Sequence, residues 1–291
     1  MRILLLGQHG QVSRELQARL SGQAELLVLG SAQLDLRQPQ QIRQQVRALK
    51  PDLIINAAAH TAVDQAESEP EQAFAINATA PGIIAEEAAD LGAPLLHYST
   101  DYVFDGRKPT AYTEQDAPNP LSVYGRSKLA GEQAIQAVGG AHLILRTSWV
   151  YSRHGRNFLL TMQRLLQERD SLSVVSDQIG APTWAGTIAR ASGQLLCRWQ
   201  AGQAGPWGIY HLTALGETSW FGFASAIAAQ LRAQGKQTAE LQAIPSSAYP
   251  TPAQRPLNSR LDCARLQRDW QIQLPSWQDA LRQCLAEPQT Q

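Results

Sequence analysis

Short apolar runs alternate with helical patterns through the first half of this chain, and this alternation limits the possible folds more than any other feature. The runs lie at Ile3–Leu6, Glu25–Leu29, Leu53–Ile55, Pro94–Tyr98 and His142–Arg146, and helical patterns cover Val12–Leu20, Pro39–Leu49, Pro70–Leu91 and Tyr124–Val138. Strands that are apolar along their whole length are buried on both faces, as in parallel sheets covered by helices. The sequence therefore predicts an α/β fold with a doubly wound parallel sheet.

The pattern changes after about Thr147, where proline and glycine become frequent. The segment Tyr249–Pro256 (YPTPAQRP) has too many prolines for a regular helix or a central strand. We therefore predict a sheet domain over residues 1–147 and a smaller, mostly helical C-terminal lobe over 148–291 that covers the ligand edge of the sheet. We expect one or two strands to return to the sheet, near 173–175 and 209–212, and residues 287–291 to form a loose tail.

The charges and cysteines exclude several kinds of partner. Lys plus Arg equals Asp plus Glu at 25 each, so the chain lacks the electrostatic footprint of a nucleic-acid-binding protein. No stretch approaches the roughly 18 to 20 apolar residues that span a bilayer, and the apolar run near the start ends at Gly7, too short for a signal peptide. Cys197, Cys263 and Cys284 lack metal-ligand spacing and read as thiols in a reducing compartment. We expect a soluble, cytoplasmic protein without a membrane or nucleic-acid partner.

A glycine-containing turn follows the first predicted strand. It reads Gly7-Gln8-His9-Gly10-Gln11-Val12-Ser13, and such a turn lets backbone N–H groups approach a pyrophosphate at the start of the next helix. A tight structural turn explains this short pattern almost equally well. The third apolar run ends in Asn56-Ala57-Ala58-Ala59-His60-Thr61, whose small side chains allow a cofactor to lie against the backbone. An alanine-rich helix start is the alternative, and His60 has no partner at metal-ligand spacing.

The second strand of a dinucleotide site usually ends in an acid that binds the ribose 2′-hydroxyl. Here that position is Gly30-Ser31. No carboxylate repels a 2′-phosphate, although no arginine is adjacent to clamp one. The sequence therefore favours NADPH, with NADH as the alternative donor.

Tyr124 and Lys128 are spaced to lie on one face of a predicted helix. A phenol has an ordinary pKa of about 10, too high for efficient proton transfer near neutrality, and a nearby ammonium would lower that pKa. An exposed Tyr/Lys pair is the commoner explanation of this spacing alone. The order along the chain favours a catalytic pair, because the glycine turn, the alanine run and the strand end Ser99-Thr100-Asp101-Tyr102 all precede it.

Further motifs carry a resemblance to a known family. They are NAAAHTAVDQAESEP (Asn56–Pro70), HYSTDYVF (His97–Phe104), RTSWVY (Arg146–Tyr151), GAPT (Gly180–Thr183) and YPTPAQRPLNSRL (Tyr249–Leu261). With Tyr124 and Lys128, the chain resembles the dTDP-4-dehydrorhamnose reductases of the extended short-chain dehydrogenase/reductase superfamily over essentially its whole length. The resemblance implies a Rossmann-like NAD(P)-binding domain and the reduction of dTDP-4-dehydro-6-deoxy-L-mannose to dTDP-L-rhamnose.

The resemblance also implies roles for individual residues. Tyr124 would be the general acid at the C4 oxygen, Lys128 would lower the pKa of Tyr124 and bind the nicotinamide ribose, and Thr100 would hydrogen-bond the reacting oxygen or the tyrosine. Cofactor contacts, with Gly7 and Ala58 added from the turn and the alanine run, would be Gly7, Gly10, Gln11, Val12, Asp35, Leu36, Ala58, Ala59, His60, Thr61, Tyr98, Tyr124 and Lys128. Substrate contacts would be Thr100, Asp101, Tyr124, Trp149, Arg255 and Arg260. The two arginines suit the diphosphate, because guanidinium forks match phosphate oxygens, although both also read as surface residues. Trp149 reads equally well as a core residue.

One feature of the family is not matched. Some members form dimers around magnesium held by carboxylates. Glu15 could supply one ligand, but the position after the GAPT motif that would supply another is Gly186, and a lone carboxylate is a poor magnesium site. We expect no bound metal, and a monomer or a weak homodimer without bridging magnesium.

Other functions share this scaffold. Sugar-nucleotide dehydratases commonly carry Asp-Glu after the threonine, whereas Tyr102 follows Asp101 here, which argues against dehydration. Epimerases regenerate a tightly held NAD in each cycle, and another reductase would act on a related keto sugar. A non-catalytic NADP-binding regulatory subunit, resembling the β subunit of methionine adenosyltransferase, also stays open, although the intact Thr100, Tyr124 and Lys128 favour a catalyst.

Overall fold

The computed structural model describes residues 1–286; residues 287–291, for which we predicted a loose tail, lie outside the described residues. The strands are β1 (Arg2–Leu6), β2 (Glu25–Leu29), β3 (Leu53–Asn56), β4 (Leu95–Thr100), β5 (His142–Thr147), β6 (Val150–Tyr151), β7 (Ser171–Val175), β8 (Ile179–Gly180), β9 (Thr183–Trp184), β10 (Gly208–His211), β11 (Thr218–Ser219) and β12 (Glu240–Ile244). The α-helices are α1 (Gln11–Leu20), α2 (Pro39–Leu49), α3 (Val63–Ser68), α4 (Pro70–Phe74), α5 (Ala80–Asp90), α6 (Val123–Val138), α7 (Phe158–Glu168), α8 (Ala185–Gln200), α9 (Trp220–Ala233), α10 (Ala264–Trp270) and α11 (Trp277–Ala286). A π-helical turn spans Ala75–Thr79, and 3-10 turns span Asp101–Val103 and Ser246–Ala248.

Six strands form one parallel sheet in the order β10-β5-β4-β3-β1-β2. Alternate residues of a strand face opposite sides of a sheet. Ile3 and Leu5 therefore join the core cluster beneath α1 and α8, whereas Leu4 and Leu6 join the cluster beneath α2 and α5. Burial on both faces explains why every position of the run is apolar, and the predicted doubly wound, Rossmann-like α/β fold is confirmed.

The predicted return of two later segments to the sheet is only partly correct. Gly208–His211 pairs with β5 at the sheet edge. Ser171–Val175 instead pairs with β12 in a separate two-stranded sheet, so the expectation near 173–175 is wrong. Ser171 and Ser173 are exposed while Val174 is buried, so this strand can bury only one face, whereas the inner strands of the central sheet bury both.

The chain crosses between the two lobes more than once after Thr147. Helix α8 packs against α1, and its Ile188 and Leu195 belong to the core beneath the sheet, as does Trp270 of α10. The remaining helices α7, α9 and α11 surround a second core built on aromatic side chains, including Trp184, Phe223 and Trp277. This second core lies within the region that we predicted to form the smaller, mostly helical lobe.

The single helix expected over Pro70–Leu91 is broken in the structure. Helix α4 passes into the π-helical turn before α5 begins. Pro81 has no N–H and cannot donate to the carbonyl of Asn77, four residues earlier, and its ring disfavours that close approach. The carbonyl of Asn77 instead packs against Gly131 of α6, where an added Cβ would lie 2.0 Å from the oxygen.

The side chain of Asn77 joins a loop to a helix at the ligand edge. Its Oδ1 accepts the backbone N–H of His60 at 2.8 Å, and its Nδ2 donates to the carbonyl of His60 and to Ser127 Oγ, both at 3.0 Å. The helix break thus ties the alanine-rich loop after β3 to α6.

Within residues 1–286, no helix combines the length and apolar character needed to cross a bilayer. Cys197 is exposed, Cys263 and Cys284 are buried, and no disulfide joins them.

Substitution of Gly131 by alanine tests the contact between α6 and the π-helical turn. We expect Gly131→Ala to lower the free energy of unfolding by about 1–3 kcal/mol, because the backbone must shift to admit the methyl group. Gly193→Ala in α8 is the matched control, since its Cβ would meet nothing closer than 3.5 Å. Better helix propensity should leave that variant unchanged or more stable by up to about 1 kcal/mol. Urea denaturation measures both, and equal effects would contradict the packing argument.

Candidate active site

A cleft of about 910 Å³ lies at the carboxyl ends of the central strands, where parallel sheets bind their ligands. It brings together most of the predicted site residues. Those that line it are Gly7, Gly10, Gln11, Val12, Asp35, Leu36, Ala58, Ala59, Thr61, Tyr98, Thr100, Asp101, Tyr124, Lys128 and Trp149. His60, Arg255 and Arg260 do not line the cleft. His60 is buried, and its backbone N–H and carbonyl hydrogen-bond the side chain of Asn77.

The glycine turn forms the floor of one end. Gly7 has a φ of +103°, and an added Cβ would lie 2.9 Å from the backbone of Ala57 and Ala58. Only glycine suits that conformation and that close approach. Gly10 precedes the first turn of α1, and no side chain caps the helix there. The free N–H groups and the helix dipole make this end suitable for a pyrophosphate.

The structure corrects the sequence analysis at the end of β2. We expected no arginine adjacent to Ser31 that could clamp a 2′-phosphate, yet Arg37, six residues further on, lines the same cleft as Gly30 and Ser31. Its guanidinium makes a bidentate contact with Asp35, at 2.9 Å from Nε to Oδ1 and 2.8 Å from Nη2 to Oδ2. This contact lowers the pKa of the Asp35 carboxyl. The signal in the sequence was the Asp-x-Arg spacing, which places both groups on one short loop.

Tyr124 and Thr100 meet at the centre of the cleft. The Thr100 hydroxyl donates to Asp101 Oδ1 at 3.1 Å and lies beside the Tyr124 phenol. Burial raises the pKa of Tyr124 to about 12, and the contact with Thr100 offsets only part of that effect. Lys128, which we expected to lower this pKa, is not among the groups that shift it, and desolvation has the largest effect. The phenol keeps its proton at neutral pH and can donate it.

Lys128 is 1% exposed and lies one helical turn further along α6. Its Nζ donates to the carbonyl of Tyr98 at 2.7 Å and lies 3.1 Å from Nε2 of His97. Burial lowers the pKa of Lys128 to about 8, against the opposing effect of Glu132. The resemblance did not indicate His97 as a neighbour of this lysine, although it stands within the HYSTDYVF motif.

Asp101 presents an unsatisfied acceptor at the same place. It is 3% exposed, and its Oδ2 has no hydrogen-bond partner of good geometry among the described residues, although the Ser259 hydroxyl is close enough to lower the pKa of the carboxyl in part. Burial raises the pKa of this carboxyl to about 6. A buried oxygen without a donor costs free energy, so this position suits a ligand hydroxyl.

A buried ion pair supports these groups from below, and the sequence analysis missed it. Arg146 of β5 donates to Glu132 of α6, at 2.6 Å between Nη2 and Oε2, and both side chains are at most 2% exposed. Ser99 Oγ donates to the other carboxylate oxygen at 2.5 Å. The three elements that carry the central residues are thereby joined.

Trp149 is a wall of the cleft rather than a core residue. Its indole stacks on Trp220 with ring centroids 3.6 Å apart and an interplanar angle of 10°. Its φ of +48° is rare for a residue with a side chain and is maintained only where packing compensates the strain. Gly180 leaves room for the ring, since an added Cβ would lie 2.6 Å from it.

The two arginines of the last motif are engaged elsewhere. Arg255 pairs with Asp64 at 2.7 Å and neighbours Tyr102, which does line the cleft. Arg260 bonds Glu217 at 2.9 Å and the carbonyl of Pro109. Arg255 thus lies close behind the cleft wall, and Arg260 holds its own loop in place.

No group of three or more His, Cys, Asp or Glu side chains in residues 1–286 is arranged to hold a metal ion.

The fold and the Thr100, Tyr124 and Lys128 arrangement are those of the extended short-chain dehydrogenase/reductase class. The model of the family described as RmlD substrate binding domain matches residues 1–290, and the chain belongs to that family.

Curated and solved relatives agree with this assignment. The chain is 45% identical to the dTDP-4-dehydrorhamnose reductase of Escherichia coli (strain K12), covering 99% of this chain and 98% of the relative. It is 47% identical to that of Salmonella typhimurium over the same shares. A crystal structure of dTDP-4-dehydrorhamnose reductase from Bacillus anthracis in complex with NADP has a TM-score of 0.92 at 34% identity, covering 99% of both chains. A Thermus thermophilus UDP-glucose 4-epimerase, at 20% identity and a TM-score of 0.80, shares the fold.

Substitution of Gly180 by alanine tests the seating of Trp149. The methyl group would displace the indole from Trp220, so we expect the coupled circular-dichroism signal of the stacked indoles to weaken. Trp220→Phe should remove the same signal and serves as the reference. Gly193→Ala is the control glycine, since its Cβ meets no tryptophan. An unchanged signal in Gly180→Ala would show that the ring does not depend on this glycine.

Proposed function

We propose that the protein reduces dTDP-4-dehydro-6-deoxy-L-mannose to dTDP-L-rhamnose, with NADPH as the donor and NADH as a weaker alternative. The observation that carries the proposal is the buried, protonated Tyr124 beside Thr100 at the centre of a cleft of dinucleotide size. A bound reduced nicotinamide would supply the hydride to C4 of the sugar. The carbonyl oxygen becomes a hydroxyl by taking one proton, and Tyr124 is the group placed to give it.

The state of Tyr124 favours reduction. A general acid must carry its proton before the reaction begins, and a pKa of about 12 keeps the phenol protonated at neutral pH. Thr100 would turn its hydroxyl from Asp101 Oδ1 to donate to the reacting oxygen, and the phenolate left on Tyr124 would recover a proton from solvent.

The substrate would be held on the side of the cleft that faces the helical lobe. Asp101 Oδ2 can accept a sugar hydroxyl, and Trp149 offers an apolar wall to the ring. Arg255 is our candidate for the diphosphate, reached past Tyr102. It would exchange its contact with Asp64 for phosphate oxygens. Arg260 contributes to this role by holding the loop that carries Asn258 and Ser259, whose backbones pair with β8.

The cofactor would occupy the glycine end of the cleft. The N–H groups of Gln11 and Val12 are suited to the pyrophosphate. The ribose and adenine would lie beside Asp35 and Leu36, and Ala58 to Thr61 would pack against the nicotinamide half, with His60 contributing through its backbone. Tyr98 and Lys128 would line the nicotinamide ribose. The NADP complex of the Bacillus anthracis relative supports this choice of donor.

Substitution of Tyr124 by phenylalanine tests the acid. We expect kcat for NADPH oxidation with the dTDP-4-keto sugar to fall by about 10²- to 10⁴-fold, the usual contribution of a general acid, while the Kd for NADPH stays the same. Tyr112→Phe is the control, since that phenol bonds Asp105 outside the cleft. An unimpaired Tyr124→Phe would end the mechanism. A wild type that binds NADPH without net oxidation would favour the epimerase or the regulatory subunit.

Substitution of Arg37 by alanine tests the donor preference. The guanidinium lines the cleft and neutralises Asp35, which would bind the cofactor ribose, and without it the Asp35 carboxylate would repel a 2′-phosphate. We expect kcat/KM for NADPH to fall by about tenfold to a hundredfold, the value of a hydrogen bond to a charged group, and kcat/KM for NADH to change little. Arg43→Ala, whose guanidinium pairs with Glu86 and Glu87 away from the cleft, is the control. Equal losses with both donors would contradict the assignment.

A further inference from the structure

A chain of three buried polar side chains runs from β3 to α6 beneath the cleft. Asn56 Nδ2 lies 3.1 Å from Nδ1 of His97, and Nε2 of His97 lies 3.1 Å from Nζ of Lys128. All three residues are at most 1% exposed. We propose that Asn56 and His97 are positioning residues that favour the neutral amine of Lys128, and so set the pH range in which its ammonium is available. The proposal rests on the proposed function for the part of its test that uses turnover.

The orientation of the Asn56 amide is fixed by a backbone donor. The N–H of Ala58 lies 3.2 Å from Asn56 Oδ1. A backbone N–H can only donate, so the amide oxygen must face it. The amide NH₂ is therefore the group that faces His97.

This orientation determines where His97 carries its proton. The NH₂ of Asn56 donates to Nδ1, so Nδ1 must hold a lone pair. Burial, together with the nearby Lys128, holds the pKa of His97 well below its usual range, and the ring is neutral. A neutral imidazole has one N–H, so the proton lies on Nε2 and points towards Lys128.

The consequence falls on Lys128. An ammonium has three donors and no lone pair, so its contact with Nε2–H would set two donors against each other. A neutral amine instead accepts from Nε2–H while still donating to the carbonyl of Tyr98. The contact therefore acts in the same direction as burial, which lowers the pKa of Lys128 to about 8.

The other charged groups nearby do not cancel this effect. Glu132 of the same helix favours the ammonium, but its carboxylate is already bonded by Arg146 and Ser99. The titratable and charged groups on the elements packed round α6 are Asp64 and Glu67 of α3, Glu71 of α4, Glu86, Glu87 and Asp90 of α5, His97 and Tyr98 of β4, Asp101 and Tyr102 of the turn after β4, and His142 and Arg146 of β5, with Tyr124, Arg126 and Glu132 on α6 itself. Among these groups, the side chain within hydrogen-bonding distance of Nζ is that of His97, while Tyr98 contributes its backbone carbonyl.

The sign of the pH dependence follows from the role of the ammonium. If the charged Lys128 holds the nicotinamide ribose, kcat/KM falls as the pH rises through about 8, because the ammonium loses its proton. We call this fall the upper pH limb of kcat/KM. A substitution that lets Nε2 of His97 accept a hydrogen bond from Lys128 should move this limb to higher pH.

Substitution of Asn56 by aspartate provides that change with almost no change of shape. A carboxylate can accept from Ala58 N–H and also from Nδ1–H, which would shift the histidine proton to Nδ1 and leave Nε2 free to accept from the ammonium. We expect the upper pH limb of kcat/KM to rise by about one unit or more. Nitrogen NMR of protein with isotopically labelled histidine should show the proton of His97 on Nε2 in the wild type and on Nδ1 in Asn56→Asp.

A second variant covers the case in which Asn56→Asp does not fold, and separates the tautomer from the added charge. His97→Met has no N–H to set against the ammonium and adds no carboxylate, so the upper pH limb of kcat/KM should rise in this variant too. His211→Met is the matched control, because His211 is equally buried but bonds the carbonyl of Tyr112; the upper pH limb should not move in that variant. A wild-type His97 protonated on Nδ1, or a limb that stays in place in both variants that fold, would overturn the proposal. The NMR measurement needs no substrate, so a failure to reduce the dTDP sugar would count against the proposed function alone.

Discussion

The buried ion pair between Glu132 and Arg146 holds together the elements that carry the reacting groups. Removing two charges from water costs several kcal/mol per ion, and a pair offsets that cost only when its hydrogen bonds are nearly complete. Here Arg146 and Ser99 together satisfy both oxygens of the carboxylate, while Nη1 of Arg146 has no hydrogen-bond partner among the described residues and its guanidinium packs over the ring of Phe104. Because these residues lie on α6, β5 and β4, loss of one charge would leave the other unpaired beneath the cleft. The relative position of Thr100 and Tyr124 depends on this contact.

Desolvation then determines the chemistry above the ion pair. Burial disfavours the charged form of every group, so it raises the pKa of Tyr124 and Asp101 and lowers that of Lys128. A tyrosine that keeps its proton suits reduction, in which a proton is delivered. The hydrogen-bonded chain of Asn56 and His97 also favours the neutral form of Lys128. It places an N–H donor next to Nζ, where an ammonium would need an acceptor. The protonation states of these side chains thus depend on their burial as much as on their chemical identity.

Much of this site could be predicted from the sequence, and the omissions share a cause. The glycine turn, the alanine-rich loop and the Thr100, Tyr124 and Lys128 set all reach one cleft, because parallel strands end at one edge. Arg37 was missed because its place in the cleft wall depends on how the loop after β2 folds back. The strand at Ser171–Val175 was placed in the wrong sheet because a short apolar segment carries no information about its partner. Pro81 was the overlooked signal for the break near Asn77.

The sequence by itself determined the fold class, since only a sheet covered on both faces needs strands that are apolar at every position. It also determined the family, through motifs distributed along the whole chain. Tertiary structure alone decided the protonation of the central residues and the partners of Arg255 and Arg260. Those properties depend on which groups are brought within about 3 Å of each other and kept from water, and residues such as Asn56, His97 and Lys128 are far apart in the chain. For Tyr124 the difference is plain: its spacing from Lys128 predicts a lowered pKa, and its burial raises it.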